Sequence, residues 1–179
     1  MTDVTKSQVR KMLLDALRHD PERYDLYLDE EGFVDTESIV YGLQLSQPME
    51  LPEALIKEAL EDGEGTYFDV RDGNQYRALT GHTTEQFDYP IAAPEQDLFY
   101  LINGRDLKAV QEEGLGILRK KRYLMLETSV ADALDTKGRR RVKKPVVLRI
   151  SPDATTFHFF CDTWYCEDAS PFSIQVESQ

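Results

Sequence analysis

Thr66-Tyr67-Phe68-Asp69-Val70-Arg71-Asp72-Gly73-Asn74-Gln75-Tyr76-Arg77-Ala78-Leu79 decides the fold of the first half of the chain. Thr66 to Val70 and Gln75 to Leu79 flank Arg71-Asp72-Gly73-Asn74, and Asp-Gly tolerates the positive φ that a tight hairpin turn needs. Upstream, Val9, Met12, Leu13, Ala16 and Leu17 recur at helical spacing, and Thr5 with Gln8 forms a capping box. This helix ends near Arg18-His19, because Asp20 precedes Pro21 and is pushed out of helical geometry. Leu26 to Val34 reads as two extended pieces around Gly32. Asp35 caps a second helix to about Leu43, and Pro52 starts a third to about Leu60. Three helices followed by a hairpin suggest a winged-helix lobe over residues 1–93.

Gly81 to Gln96 is polar, contains two prolines and has weak periodicity, so it reads as a linker. Beyond it the pattern changes. Leu98 to Ile102, Tyr123 to Leu126, Pro145 to Ile150, Thr156 to Cys161, Trp164 to Cys166 and Phe172 to Val176 read as strands. Arg105 to Glu113, ended by Gly114, and Val130 to Thr136, capped by Thr128 or Ser129, read as helices. The second lobe, residues 94–179, is strand-rich, and the chain as a whole is α+β.

A chain of 179 residues can bury roughly 70% of its unfolded surface, enough to fold without a metal or disulfide. No apolar run reaches the length of a membrane span. Met1-Thr2-Asp3-Val4-Thr5-Lys6 lacks the order of a secretory signal, and the only cysteines are Cys161 and Cys166, so the expected location is the cytoplasm. The net charge of −12 argues against general affinity for nucleic acid. The charge is unevenly spread, however, since ten of the 21 basic residues fall between Arg119 and Lys144. Such a stripe is either a solvated charged surface or an anion site.

Phosphate-cradling glycine loops, GxSxG elbows and His-rich metal spacings are missing from the sequence. His19, His82 and His158 with Cys161 and Cys166 give no metal-ligand pattern, and the cysteines are expected on neighbouring strands as packing residues. What remains is a set of cations beside element ends: Arg18-His19, Arg77 on the hairpin and His82 just after it. A helix C-terminus favours cations by itself, so dipole compensation competes with ligand binding as the reading of Arg18-His19.

Leu17-Arg18-His19-Asp20-Pro21-Glu22, followed by Leu28-Asp29-Glu30-Glu31-Gly32-Phe33-Val34-Asp35, resembles the opening signature of the RNA 2′-phosphotransferase family, the tRNA splicing phosphotransferases. Those proteins begin with an apolar helix, LRH, a proline and LDxxGWVD. Tyr76-Arg77-Ala78-Leu79-Thr80-Gly81-His82-Thr83 looks like their RAxxGHS motif. Leu107 to Leu115, Pro145-Val146-Val147-Leu148 and Asp162-Thr163-Trp164-Tyr165 echo, in order, the helix-to-GL segment, the VVL strand and the NGVWL turn. The resemblance runs over nearly the whole chain.

It implies a winged-helix lobe joined to an ADP-ribosyltransferase-like lobe, with RNA bearing a 2′-phosphate or a terminal phosphate as partner and NAD as co-substrate. The RNA phosphate attacks the nicotinamide-bearing ribose carbon and nicotinamide leaves. A ribose hydroxyl then releases 2′-OH RNA and ADP-ribose cyclic phosphate. Such chemistry asks for a cationic clamp, because the nucleophile is already an anion that must be oriented and neutralised. The resemblance assigns that clamp to Arg18, His19, Arg77 and a fourth cation. A gap-free match puts Lys121 fourth, while adjacent Arg122 has the planar fork of donors that lysine lacks. His82 and Thr83 belong to the RNA-phosphate site by the same resemblance.

The chain departs from the family on the cofactor side. Phe99-Tyr100-Leu101-Ile102 stands where the family has YHGT, and Leu124-Met125-Leu126-Glu127 where it has VHLS. Tyr100, Leu101 and Glu127 are the remaining cofactor-binding candidates. Two readings stay open: an NAD-dependent RNA 2′-phosphotransferase, or a pseudoenzyme of the same family that binds RNA phosphate without using NAD.

Overall fold

The computed structural model describes residues 4–47, 50–118 and 122–177. The chain divides into two compact units, Met1–Asp88 and Tyr89–Gln179. Among the described residues the strands form small antiparallel sheets between helices, an α+β arrangement.

In the first unit α1 spans Lys6–Arg18 and starts at the expected capping box, with Thr5 bonded to the Gln8 backbone and the Gln8 side chain returning to Thr5. Val9, Leu13, Ala16 and Leu17 line its buried face. A 3₁₀ turn, Glu22–Tyr24, follows Pro21. β1 is only Val34–Asp35, and Asp35 caps α2, Thr36–Ser46, by accepting the Ser38 N–H at 2.8 Å. That bond holds the Asp35 carboxyl below the usual range. α3 covers Glu53–Glu61, with Pro52 as its N-cap. β2, Phe68–Arg71, and β3, Gln75–Ala78, form the hairpin, with Asp72 and Gly73 both at positive φ. β1 joins the far edge of β3, giving the order β1-β3-β2. The three helices pack over this sheet around Leu13, Leu17, Ile39, Leu43, Ile56 and Phe68.

The segment expected as two extended pieces around Gly32 is a side-chain-anchored loop, of which only Val34–Asp35 pairs. Asp29 Oδ1 accepts the N–H groups of Glu31 at 2.9 Å and Phe33 at 2.8 Å, which closes the loop locally. Burial pushes the Asp29 carboxyl up, but the Phe33 N–H and the Arg71 guanidinium outweigh it and hold the group low.

In the second unit β4 (Leu98–Asn103), α4 (Leu107–Glu113), β5 (Leu124–Leu126), α5 (Val130–Asp135), α6 (Lys137–Arg140), β6 (Pro145–Ile150), β7 (Phe157–Phe160), β8 (Thr163–Cys166) and β9 (Ile174–Val176) follow in order. They make two sheets, β4-β6-β9 and β5-β8-β7. Ser129 caps α5 through the Asp132 N–H at 3.1 Å. Cys166 lies on β8, but Cys161 does not lie on the neighbouring strand: Cys161 and Asp162, at φ 47° and 56°, are the two turn residues between β7 and β8. Phe172 likewise falls in a 3₁₀ turn, Pro171–Ser173, before β9. The one-turn helix α6 lies inside the basic stripe and has no apolar periodicity to announce it.

Candidate functional site

The residues of the first unit singled out from sequence are drawn together by one carbonyl. At the end of α1 the Arg18 C=O accepts the N–H of Thr83 at 2.7 Å and of Thr84 at 3.1 Å, so the chain leaving β3 is stitched to the helix end. His19 Nδ1 lies 2.8 Å from Thr83 Oγ1, a contact across 64 residues of sequence. Arg77, on β3, is aimed by three bonds: Nε and Nη2 donate to Asp69 Oδ2 at 3.1 and 2.8 Å, and Nη1 donates to the Glu31 carbonyl at 3.1 Å. Its guanidinium also lies over the Phe33 ring, 4.5 Å from the centroid.

His82 ties these groups into one electrostatic neighbourhood. It is buried at 2% exposure against the edge of Phe87. Burial, and after it the charges of Arg18, His19 and Arg77, depress its pKa to about 3. A neutral imidazole thus sits among cations instead of adding to them. Arg18, His19, Arg77, His82 and Thr83 are brought into one region, which holds two guanidinium groups and two imidazoles. A separate groove lined by Asp35, Glu37, Lys57, Glu61 and Tyr76 includes none of these cations.

In the second unit Arg122 Nε lies 3.4 Å from the Glu167 carboxylate, and its guanidinium lies 5.1 Å from the Tyr123 ring centroid. Lys121, the other residue considered for the fourth position, falls outside the described residues. Tyr100, Leu101 and Glu127 come close together where the two sheets meet. Phe99 and Glu127 exchange both backbone hydrogen bonds, at 2.8 and 2.9 Å, the one bridge joining β4 to β5 among the described residues. The Leu101 side chain points away from this place, into the core with Ala133 and Val147, so only its backbone can meet a ligand here. Glu127 Oε1 is buried with no hydrogen-bond partner among the described residues.

A residue that spacing alone did not single out completes this region. Arg140, the last residue of α6, donates from Nη1 to the Leu101 carbonyl at 3.3 Å and from Nη2 to the Met125 carbonyl at 2.9 Å. Its guanidinium covers the Tyr100 ring at 4.2 Å. Burial pushes the Tyr100 phenol up, and the neighbouring Arg140 charge partly offsets this. In the sequence Arg140 stands only as one member of a basic run.

These residues, as arranged, do not fit a nicotinamide dinucleotide. The two carbonyls and the ring face that a flat ligand would use are taken by Arg140, and the Met125 thioether offers no donor. No group of three His, Cys, Asp or Glu side chains able to hold a metal ion is found among the described residues. No described helix is long and apolar enough to cross a membrane.

The first unit gathers arginines and histidines at a helix end and the second is strand-rich, which defines an α+β protein, and comparison with known proteins narrows the class. Residues 4–162 match the model of the RNA 2′-phosphotransferase, Tpt1 / KptA family. A probable RNA 2′-phosphotransferase of Pyrococcus horikoshii is 32% identical over 152 residues, covering 82% of this chain and 81% of that protein. One from Acetivibrio thermocellus is 28% identical over 178 residues, covering 96% of both. One from Pseudomonas aeruginosa is 31% identical over 157 residues, covering 86% and 83%. The chain belongs to the RNA 2′-phosphotransferase family.

Proposed function

We propose that this chain is an RNA 2′-phosphotransferase whose first unit, a winged-helix lobe, captures the RNA 2′-phosphate through Arg18, His19 and Arg77. The observation that carries the reading is the pair of hydrogen bonds that the Thr83 and Thr84 N–H groups donate to the Arg18 carbonyl, which sets the helix end against the segment that holds His82. Arg18 supplies a planar fork of donors, Arg77 a guanidinium charge held in place by Asp69 and Glu31, and His19, oriented by Thr83 Oγ1, adds a further polar contact. His82 stays neutral, so it shapes the site without adding charge. The second unit is then the ADP-ribosyltransferase-like lobe, with Arg122 or Lys121 as the fourth cation. NAD is the co-substrate that the family resemblance implies, on condition that Arg140 leaves the Leu101 and Met125 carbonyls it now bonds, and RNA is the partner.

Titration with a short oligonucleotide carrying one internal 2′-phosphate, against the same oligonucleotide with 2′-OH, tests the capture step. Charge-assisted bonds to a dianion are each worth about 1.5–3 kcal/mol. Arg18→Ala and Arg77→Lys are therefore expected to weaken the phosphorylated ligand by roughly ten- to a hundredfold and the control by much less. Equal losses for the two ligands would mean that the arginines supply only general charge.

A second reading, RNA-phosphate binding without use of NAD, is favoured by Arg140 in the gap between β4 and β5. Release of nicotinamide from NAD in the presence of the 2′-phosphorylated oligonucleotide separates the two. Turnover supports the first reading. Retained phosphate binding with neither turnover nor NAD binding supports the second.

A further inference from the structure

We infer that Arg71, which the phosphate-capture reading leaves unused, is a positioning residue: it locks the loop from Asp29 to Phe33, and that loop aims Arg77. The inference rests on reading Arg77 as a phosphate-binding arginine. On the β2–β3 hairpin Asp69 stands opposite Arg77, and Arg71 stands opposite Gln75. Alternate residues of a strand share a face, so these four side chains lie on one side of the hairpin, while Phe68, Val70, Tyr76 and Ala78 lie on the other, against the core. Phe33 precedes Val34, which pairs with Tyr76, and therefore falls on the face of the two arginines. Its ring meets both guanidiniums, with the Arg71 carbon 4.2 Å and the Arg77 carbon 4.5 Å from the centroid.

Two like charges on one ring repel each other, so each needs a tether of its own. Arg71 donates from Nη1 to the Glu31 carboxylate, from Nη2 to the Asp29 carboxylate and from Nε to Gln75 Oε1 at 2.8 Å. Two carboxylates against one guanidinium leave an excess of negative charge there, which repels a phosphate and argues that Arg71 acts indirectly. Glu31 joins the two arginines. Its carboxylate holds Arg71, and its carbonyl accepts Arg77 Nη1 at 3.1 Å.

The loop that carries Glu31 depends on Arg71 for its closure. Asp29 Oδ1 accepts the Glu31 and Phe33 N–H groups, and Oδ2 of the same carboxylate is held by Arg71. Without the guanidinium, the Asp29 and Glu31 carboxylates stand two residues apart with like charge, and Gly32, at φ 85°, is the hinge about which the loop opens. The Glu31 carbonyl then leaves Arg77, whose Nε and Nη2 remain on Asp69 Oδ2 at 3.1 and 2.8 Å. Arg77 keeps its charge and loses its aim, and a misplaced clamp captures poorly.

Titration of the full chain with the 2′-phosphorylated oligonucleotide and its 2′-OH control tests this in two variants. Arg71→Gln is expected to weaken the phosphorylated ligand about tenfold and the control less than about twofold. Glu31→Gln alters an exposed side chain, keeps the carbonyl and removes a negative charge. Charge alone predicts tighter phosphate binding in this variant, whereas positioning predicts binding weaker by about threefold. Introduced into Arg77→Lys, either substitution should add less than about twofold, because its effect passes through the Arg77 guanidinium. Tighter phosphate binding by Glu31→Gln, or an Arg71→Gln loss that is the same with and without that guanidinium, overturns the inference. The Arg77 Nε–Hε resonance of the RNA-free chain, assigned by its absence in Arg77→Lys, reports the aim without any ligand. It is expected to shift and to exchange faster with water in Arg71→Gln. If Arg77→Lys leaves the preference for the phosphorylated strand intact, the capture reading fails, and the resonance alone decides: a shift upholds the coupling of Arg71 to Arg77, and an unchanged signal overturns it.

Discussion

The two units hold their cations on different sets of partners. Met1–Asp88 contains 20 of the 33 acidic residues and only eight of the 21 basic ones, so it carries the whole net charge of −12; Tyr89–Gln179 has 13 of each. Yet the cations assigned to phosphate capture lie in the acidic unit. They are set there by backbone and side chain together: the Arg18 carbonyl holds the Thr83 and Thr84 N–H groups, and the Glu31 carbonyl and the Asp69 carboxylate hold Arg77. In the balanced unit an arginine is turned onto backbone carbonyls, where it fills a gap. Net charge therefore says little about where an anion would bind. What matters is which local bonds hold each guanidinium, a carboxylate and one carbonyl at Arg77 and two carbonyls at Arg140.

If the first unit's site depends on rigid backbone, a packing defect behind it has the largest effect. Gly42 lies in α2 where a Cβ would stand 2.1 Å from the Tyr24 carbonyl oxygen, in the 3₁₀ turn that follows Arg18-His19. Backbone cannot yield cheaply, so Gly42→Ala is expected to destabilise by about 3 kcal/mol, at the upper end of overpacking penalties. The second unit offers the control. A Cβ at Gly104 would meet the Lys144 carbonyl at 3.4 Å, an ordinary contact, and Gly104→Ala is expected to change stability by less than about 1 kcal/mol. Denaturant unfolding of both variants checks the contrast. Comparable midpoints would erase it.

Next in size is the pH dependence created by His82. Its folded pKa, about 3, lies below the ordinary value of 6.5, so the unfolded chain binds the proton first as pH falls. The stability it contributes is fully present above about pH 6.5 and is lost progressively towards pH 3. Between pH 7 and 5 the loss is about 2 kcal/mol at roughly 1.4 kcal/mol per pH unit below 6.5. His82→Gln removes this slope, so unfolding free energies of the two proteins should converge as pH falls from 7 to 5. Parallel curves would show that His82 takes up its proton in the fold, and that the cations around it are further away than its burial implies.

What could be read from the sequence follows the range of the interactions. The Thr5–Gln8 capping box, the Asp35 cap and the Asp72-Gly73 turn are made by residues within a few positions of each other, and each appears as its spacing implied. The cation set was legible as residue types beside element ends, but the bond that gathers it spans 64 residues and leaves no local pattern. Cys161 reads as the end of a strand because it continues the run Phe157–Phe160; only pairing with β8 makes it a turn residue. α6 and Arg140 were hidden for a different reason. A single helical turn has no periodicity, and an arginine bound to backbone carbonyls looks in sequence like any solvated charge.

A smaller effect concerns salt. Counterion release scales with the number of phosphates a protein neutralises, at about 0.7 of a log unit per contact for single strands. A site of two or three fixed cations in an acidic unit gives a shallow slope. Raising salt from roughly 50 to 200 mM is expected to weaken binding of a 2′-phosphorylated oligonucleotide by less than about tenfold, as for two phosphate contacts. Lengthening the strand should not steepen the slope. A steep, length-dependent slope would move RNA binding onto the basic stripe of the second unit.

The smallest expected effect tests whether the turn that carries Arg140 is held by geometry or by charge. Arg141 follows it at φ 54°, the left-handed region, while its N–H and that of Val142 close the turn onto Gly138 and Lys137. This is the helix-ending pattern in which glycine is the usual residue, because a Cβ there crowds the following carbonyl at a cost of about 1–2 kcal/mol. Arg141→Gly removes that cost but adds freedom to the unfolded chain, worth roughly 0.5–1 kcal/mol in the other direction. The net expectation is a gain of up to about 1 kcal/mol, or a rise in Tm of roughly 2–4 °C for a chain of this size. A fall in Tm would mean that the Arg141 side chain contributes more than its backbone strain costs.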